Sequence, residues 1–74
     1  MAKPPYTFVI PVLNEAERVE SLLTTLRLRF PAAELVVVDG GSLDLTVQIA
    51  TPHCDRLLHS SPGRALQMNR GASE

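Results

Sequence analysis

Apolar residues along this chain fall into two kinds of pattern. Thr7-Phe8-Val9-Ile10-Pro11-Val12 and Glu34-Leu35-Val36-Val37-Val38 are short, nearly continuous apolar runs rich in β-branched residues. Such runs predict strands covered on both faces, as in a parallel sheet. Pro11 has no N–H to give to a ladder, so it is expected at the strand's end or at an unpaired position. Between the runs, Val19, Leu22, Leu23, Leu26 and Phe30 recur at helical spacing and predict an amphipathic helix. Arg18, Glu20, Thr24 and Arg27 fall off that stripe and are expected to face water. Asn14 reads as the helix N-cap, with Glu17 completing a capping-box-like pair, and Pro31 stops the helix.

The second half repeats the alternation. After the valine run comes Asp39-Gly40-Gly41-Ser42, a carboxylate and a glycine turn at the strand's C-terminal end. Ser42 or Asp44 then caps a second helix running to about Ala50, with Thr46, Ile49 and Ala50 inward and Pro52 ending it. His53-Cys54-Asp55 is a connector, and Arg56-Leu57-Leu58-His59 a short third strand. Ser60 or Ser61 caps a third helix that begins with Pro62 and carries Ala65, Leu66, Met68, Asn69 and Ala72. The order β-α-β-α-β-α with short connections predicts an α/β domain with parallel strands and right-handed crossovers. No clear C-cap and no fourth strand follow Gly71-Ala72-Ser73-Glu74, so the 74 residues are expected to be one partial domain, the opening half of a larger one.

Composition narrows the class. Charges are interspersed and the net charge is -1, which speaks against a nucleic-acid partner. The single cysteine, Cys54, excludes an internal disulfide and fits a reducing compartment. Met1-Ala2-Lys3-Pro4-Pro5 leads into an apolar run that Pro11 interrupts, which is neither a signal peptide nor a membrane span. A cytoplasmic location without a membrane segment in this chain is the resulting expectation.

Three polar sites converge at the C-terminal edge of such a sheet, where open α/β sheets bind ligands. They are Asn14-Glu15, then Asp39 with Ser42 and Asp44, then Ser60 to Arg64. Carboxylates accept hydrogen bonds from ribose hydroxyls or a base N–H. Glycine-loop and helix-start N–H groups suit phosphate oxygens, and Arg64 suits a phosphate or a base carbonyl. Each residue also has a plainer role. Asn14 taken alone is better read as a cap, and Ser42 and Asp44 have the same alternative as caps of the second helix. For Asp39 the alternative is a turn former, which three edge sites in step outweigh, and for Arg64 it is a solvated surface cation. Asn69 sits inside a predicted helix, where asparagine is a poor helix former. His53, Cys54, Asp55 and His59 match no zinc spacing. A dinucleotide fingerprint, a P-loop and a nucleophile elbow are all missing, which leaves a nucleotide site of another kind.

Val9 to Glu15, Glu34 to Thr46 and Gly63 to Ala72 together resemble the N-terminal part of family 2 glycosyltransferases. That resemblance implies a GT-A fold, of which this chain is a three-layer, Rossmann-like half truncated before the metal-binding motif. It implies transfer of a sugar, with inversion, from a nucleotide-diphospho-sugar of the UDP or GDP type to an acceptor hydroxyl. It places Pro11, Asn14 and Glu15 along the nucleotide pocket and Asp39 against the base. Gly40, Gly41, Ser42 and Asp44 fall in the loop beneath, with Gly63, Arg64 and Asn69 as a third wall. Mg²⁺ or Mn²⁺ is implied for the full-length enzyme, held by an Asp-x-Asp motif that this sequence does not contain. The general base is likewise absent, so no catalytic residue is assigned within these 74 positions, and the isolated chain is expected to be inactive. Two other readings stand beside this one. The chain is a non-catalytic binding or assembly module from a truncated reading frame, homo-oligomeric through an open edge at strand one. Otherwise it is a nucleotidyltransferase-like domain, which lacks here the expected arginine-containing glycine loop after strand one.

Overall fold

A computed structural model describes residues 6–60, and in it the apolar runs become three parallel strands. They are β1 (Thr7–Val12), β2 (Glu34–Asp39) and β3 (Arg56–His59), in the order β1-β2-β3. Helix α1 (Val19–Arg29) joins the first pair. A shorter helix α2 (Thr46–Ala50) and a 3₁₀ turn (Thr51–His53) join the second. The valine run lies in the middle because it is apolar on both faces. Leu35 and Val37 join Ile10, Val12, Val19, Leu23 and Ala50 in a single core cluster beneath the helices. Val36 and Val38 alternate to the other face and are buried as well. Each such side chain contributes about 1.5–3 kcal/mol when fully removed from water. The third helix expected from Pro62 onward lies outside the described residues.

Ladder phase explains how β1 accommodates a proline. The amide of Glu34 donates to the carbonyl of Tyr6, and that of Gly40 to the carbonyl of Val12, both at 3.0 Å. Even-numbered peptide groups of β1 therefore face β2, and the odd-numbered Pro11 turns its missing N–H away from it. The strand consequently does not end at Pro11 but continues to Val12, in register with Asp39.

Helix α1 departs from expectation at its start and ends, as expected, just before Pro31. It starts at Val19, not after Asn14, and Arg18 occupies the cap with no side-chain hydrogen bond. The Glu15 carbonyl accepts from the amides of Arg18 (3.0 Å) and Val19 (2.9 Å), so a turn precedes the helix. Asn14 has φ 52°, in the left-handed region that asparagine tolerates, and its side chain is engaged elsewhere. Glu17 is exposed and completes no capping box. Val19 and Leu23 are fully buried, whereas Leu22 is 41% exposed at the margin of the stripe. Phe30 caps the C-terminus and its ring packs against Tyr6 and Phe8, with centroids 5.8 and 5.0 Å away.

Arg27 was expected in water and instead ties down the start of β2. Its guanidinium donates to the Ala33 carbonyl and to the Asp55 carboxylate, each at 2.7 Å. Asp55 in turn accepts from the Leu35 amide at 2.7 Å, while its own amide donates to the Leu35 carbonyl at 2.9 Å. The carboxylate thus takes the place of a strand residue ahead of Arg56 and closes the β2–β3 ladder. The Leu35 N–H holds the Asp55 carboxyl below its ordinary range, and Arg27 adds to the effect against an opposing desolvation.

A candidate nucleotide-binding edge

The carboxyl ends of β1 and β2 lie side by side, which brings the loop after each strand within reach of the other. Asp39, the last residue of β2, is only 2% exposed. Its Oδ2 accepts from the amides of Gly41 and Ser42, each at 3.0 Å, and its Oδ1 from the Ser42 hydroxyl. The turn needs Gly41 because its φ is 100°, a region open to a residue without Cβ. Asp39 is thus a buried carboxylate that shapes its own loop, with three donors already on its two oxygens.

Three successive amides of the β1–α1 loop are then held by the β2–α2 loop. Asn14 donates to the Ser42 hydroxyl at 2.9 Å, Glu15 to the Thr46 hydroxyl at 2.8 Å, and Ala16 to Asp44 Oδ2 at 3.3 Å. In return the Leu43 amide donates to Asn14 Oδ1 at 2.8 Å. The other Asp44 oxygen accepts from the amide of Thr46 at 2.9 Å and from its hydroxyl. That hydroxyl is the main cause holding the Asp44 carboxyl below its ordinary range. Ser42 and Asp44 are therefore clasps between loops. Helix α2 begins at Thr46, with Leu45 at the cap and no side-chain cap bond.

The consequence for anion binding is direct. The amides of Gly41, Ser42, Leu43, Asn14, Glu15, Ala16 and Thr46 all have acceptors within the protein. They form no open cradle of N–H groups for a phosphate, contrary to the expectation from the glycine loop. A polar depression of about 340 Å³ opens beside them, lined by Leu13 to Arg18 and Asp44. A larger hollow of about 530 Å³ lies elsewhere, between α1 and the 3₁₀ turn, where Arg27 and Asp55 are already paired. Proximity to the strand ends, rather than size, makes the first the candidate site.

The structure brings Pro11, Asn14, Glu15, Asp39, Gly40, Gly41, Ser42 and Asp44 to this edge. Gly63, Arg64 and Asn69 lie outside the described residues. Two residues of the edge were missed in the sequence as site components. Thr46 appeared only as an inward helix position, though the spacing Asp44-x-Thr46 is itself a side-chain turn signal. His59 ends β3 directly opposite Asp39 in the ladder, with Nδ1 4.0 Å from Asp39 Oδ2. Among the described residues, no group of three His, Cys, Asp or Glu side chains is placed to hold a metal ion, and no helix is long and apolar enough to cross a membrane.

No curated protein and no solved structure matches the chain significantly. A sequence model of glycosyl transferase family 2 matches residues 7–74, which takes in every strand and helix described above. With three parallel strands alternating with helices and a shaped carboxyl edge, the chain belongs to glycosyl transferase family 2.

Proposed function

We propose that this edge is the nucleotide-recognition wall of an enzyme that moves a sugar from a nucleotide-diphospho-sugar to an acceptor hydroxyl with inversion. The clasp carries the proposal. Side chains of Ser42, Asp44 and Thr46 fix the backbone of Asn14 to Ala16 across a gap between strands, in a chain of this family. Joining the two loops makes one shared surface at the carboxyl ends of β1 and β2. With Asp39 satisfied by its own loop, its part is to hold Gly40 to Ser42 in place. The contacts to a nucleotide then fall to Pro11, the Asn14 amide group, the Glu15 carboxylate and the glycine backbone, with Gly63, Arg64 and Asn69 as the further wall.

The divalent ion that the family uses does not fit the described residues. Asp39 and Asp44 spend their oxygens on Gly41, Ser42, Ala16 and Thr46, and no third carboxylate or imidazole completes a ligand set. No metal ligand set and no general base is assigned among the described residues, and the 74 residues alone are expected to bind without turnover.

A titration of the chain with UDP and with GDP, followed by amide NMR, tests the proposal. The expected result is weak binding with shifts at Asn14, Glu15, Gly40, Gly41 and Arg64. Unmoved resonances at those positions with both nucleotides overturn it, and sugar transfer by the isolated chain overturns the expected inactivity.

A further inference from the structure

We propose that His59 is a ligand contact of this edge, donating from Nε2 to an anionic oxygen of the nucleotide's diphosphate. The inference rests on the nucleotide proposal above and adds to it a residue that the sequence motifs do not mark.

Three observations carry it. His59 closes β3 at the same carboxyl edge and pairs in register with Asp39, so it stands over the base of the glycine loop. Its side chain is 68% exposed while the Asp39 side chain beside it is 3% exposed, so the imidazole sits between a buried charge and open solvent. Its Nδ1 is turned toward Asp39 Oδ2 at 4.0 Å, beyond hydrogen-bond reach and within Coulombic reach, which leaves Nε2 at the far end of the ring.

The chemistry of the rim gives that nitrogen a task. The described edge is rich in acceptors, with carboxylates at Glu15, Asp39 and Asp44, and its loop amides are already used. A diphosphate approaching it meets carboxylates, and Arg18 is the cation lining the depression. An imidazole nitrogen that carries its hydrogen offers one N–H to a phosphate oxygen. His59 Nε2 then donates to such an oxygen, while Nδ1 stays on the Asp39 side of the ring, 4.0 Å from Oδ2. A glutamine at position 59 keeps a donor in different geometry, and a leucine has none.

The test compares each nucleotide with its own nucleoside. The 74-residue chain is titrated with UDP and uridine, and with GDP and guanosine, as wild type, His59→Gln and His59→Leu. The exposed position makes both variants compatible with the fold, which amide spectra verify. The expected result is a loss of about tenfold in affinity for the preferred diphosphate in His59→Leu, as for one charge-assisted hydrogen bond, with a smaller loss in His59→Gln. Nucleoside affinity stays unchanged, and the His59 Nε2 resonance shifts with diphosphate in the wild type. Undiminished diphosphate binding by His59→Leu overturns the inference while leaving the nucleotide proposal standing. Equal losses for nucleoside and diphosphate also overturn it, since they mark a packing role. Failure of the wild type to bind any of the four compounds overturns both.

Discussion

The amide of Glu15 donates to the hydroxyl of Thr46 at 2.8 Å, across 31 positions of sequence. Thr46 is fully buried and its hydroxyl in turn donates a hydrogen bond to Asp44, so one hydroxyl serves two loops. Thr46→Val keeps the shape and removes both bonds. It is expected to destabilise the chain by about 1–3 kcal/mol, the cost of leaving buried polar groups unpaired. Thr46→Ser retains the hydroxyl and should recover most of the loss. Urea midpoints of the three proteins provide the comparison, and a wild-type midpoint for Thr46→Val would show that the loops hold together without it.

Asp39→Asn tests the loop anchor. An amide oxygen replaces a carboxylate that accepts three hydrogen bonds, and the new NH₂ group opposes the donors of Gly41 and Ser42. The expected cost is about 2 kcal/mol, that of hydrogen bonds to a charged group. Amide exchange at Gly41 and Ser42 should accelerate beyond the change seen at Val37 in the core. Uniform acceleration at all three would assign Asp39 to global stability alone.

Asp55 predicts an acid limb in the stability profile. Its carboxyl is held low in the folded state, first by the Leu35 N–H, so the folded chain binds fewer protons than the unfolded one in that range. The contribution is complete above the ordinary carboxylate value of 3.8 and is lost as pH falls through the lower folded value. Asp44, held low chiefly by Thr46, adds to the same limb. Unfolding midpoints taken from about pH 6 down to about pH 2 should fall less steeply in Asp55→Asn than in wild type. Identical slopes would count against this assignment.

Cys54 should be a sluggish thiol. It is half-buried near the 3₁₀ turn, and desolvation, with the Asp55 charge second, pushes its pKa up. Less thiolate is present near neutral pH, so alkylation should run slower than for free cysteine under the same conditions. Asp55→Asn removes part of the cause and should speed it. An alkylation rate equal to that of the free amino acid would contradict the burial.

What the sequence discloses here follows the range of the interactions. The bounds of β1 and β3 are readable from local apolar runs, and Leu35 to Val38 declares a two-faced central strand through composition alone. The start of α1 is not readable. Asn14 looks like a cap until its Oδ1 is seen to accept from Leu43, 29 positions away. Arg27 reads as a water-facing charge and Asp55 as part of a connector for the same reason, since the two are 28 positions apart and only strand pairing brings them together. At the edge, local motif spacing was enough to pick out Ser42 and Asp44. Their work is done on the other loop, and Thr46 and His59 gain meaning only once β1, β2 and β3 lie side by side.

The loop-to-loop clasp also bears on how a ligand would meet this chain. The backbone at the rim is fastened to side chains of the next crossover by bonds that form with the sheet itself. Rim and core should therefore lose their order in one cooperative step, instead of the rim fraying first as surface loops commonly do. Association at such an edge freezes little further backbone, so the entropic penalty of ordering has largely been met at folding. Weak affinity would then report few contacts, and a further contact would raise it without any need to reshape this edge.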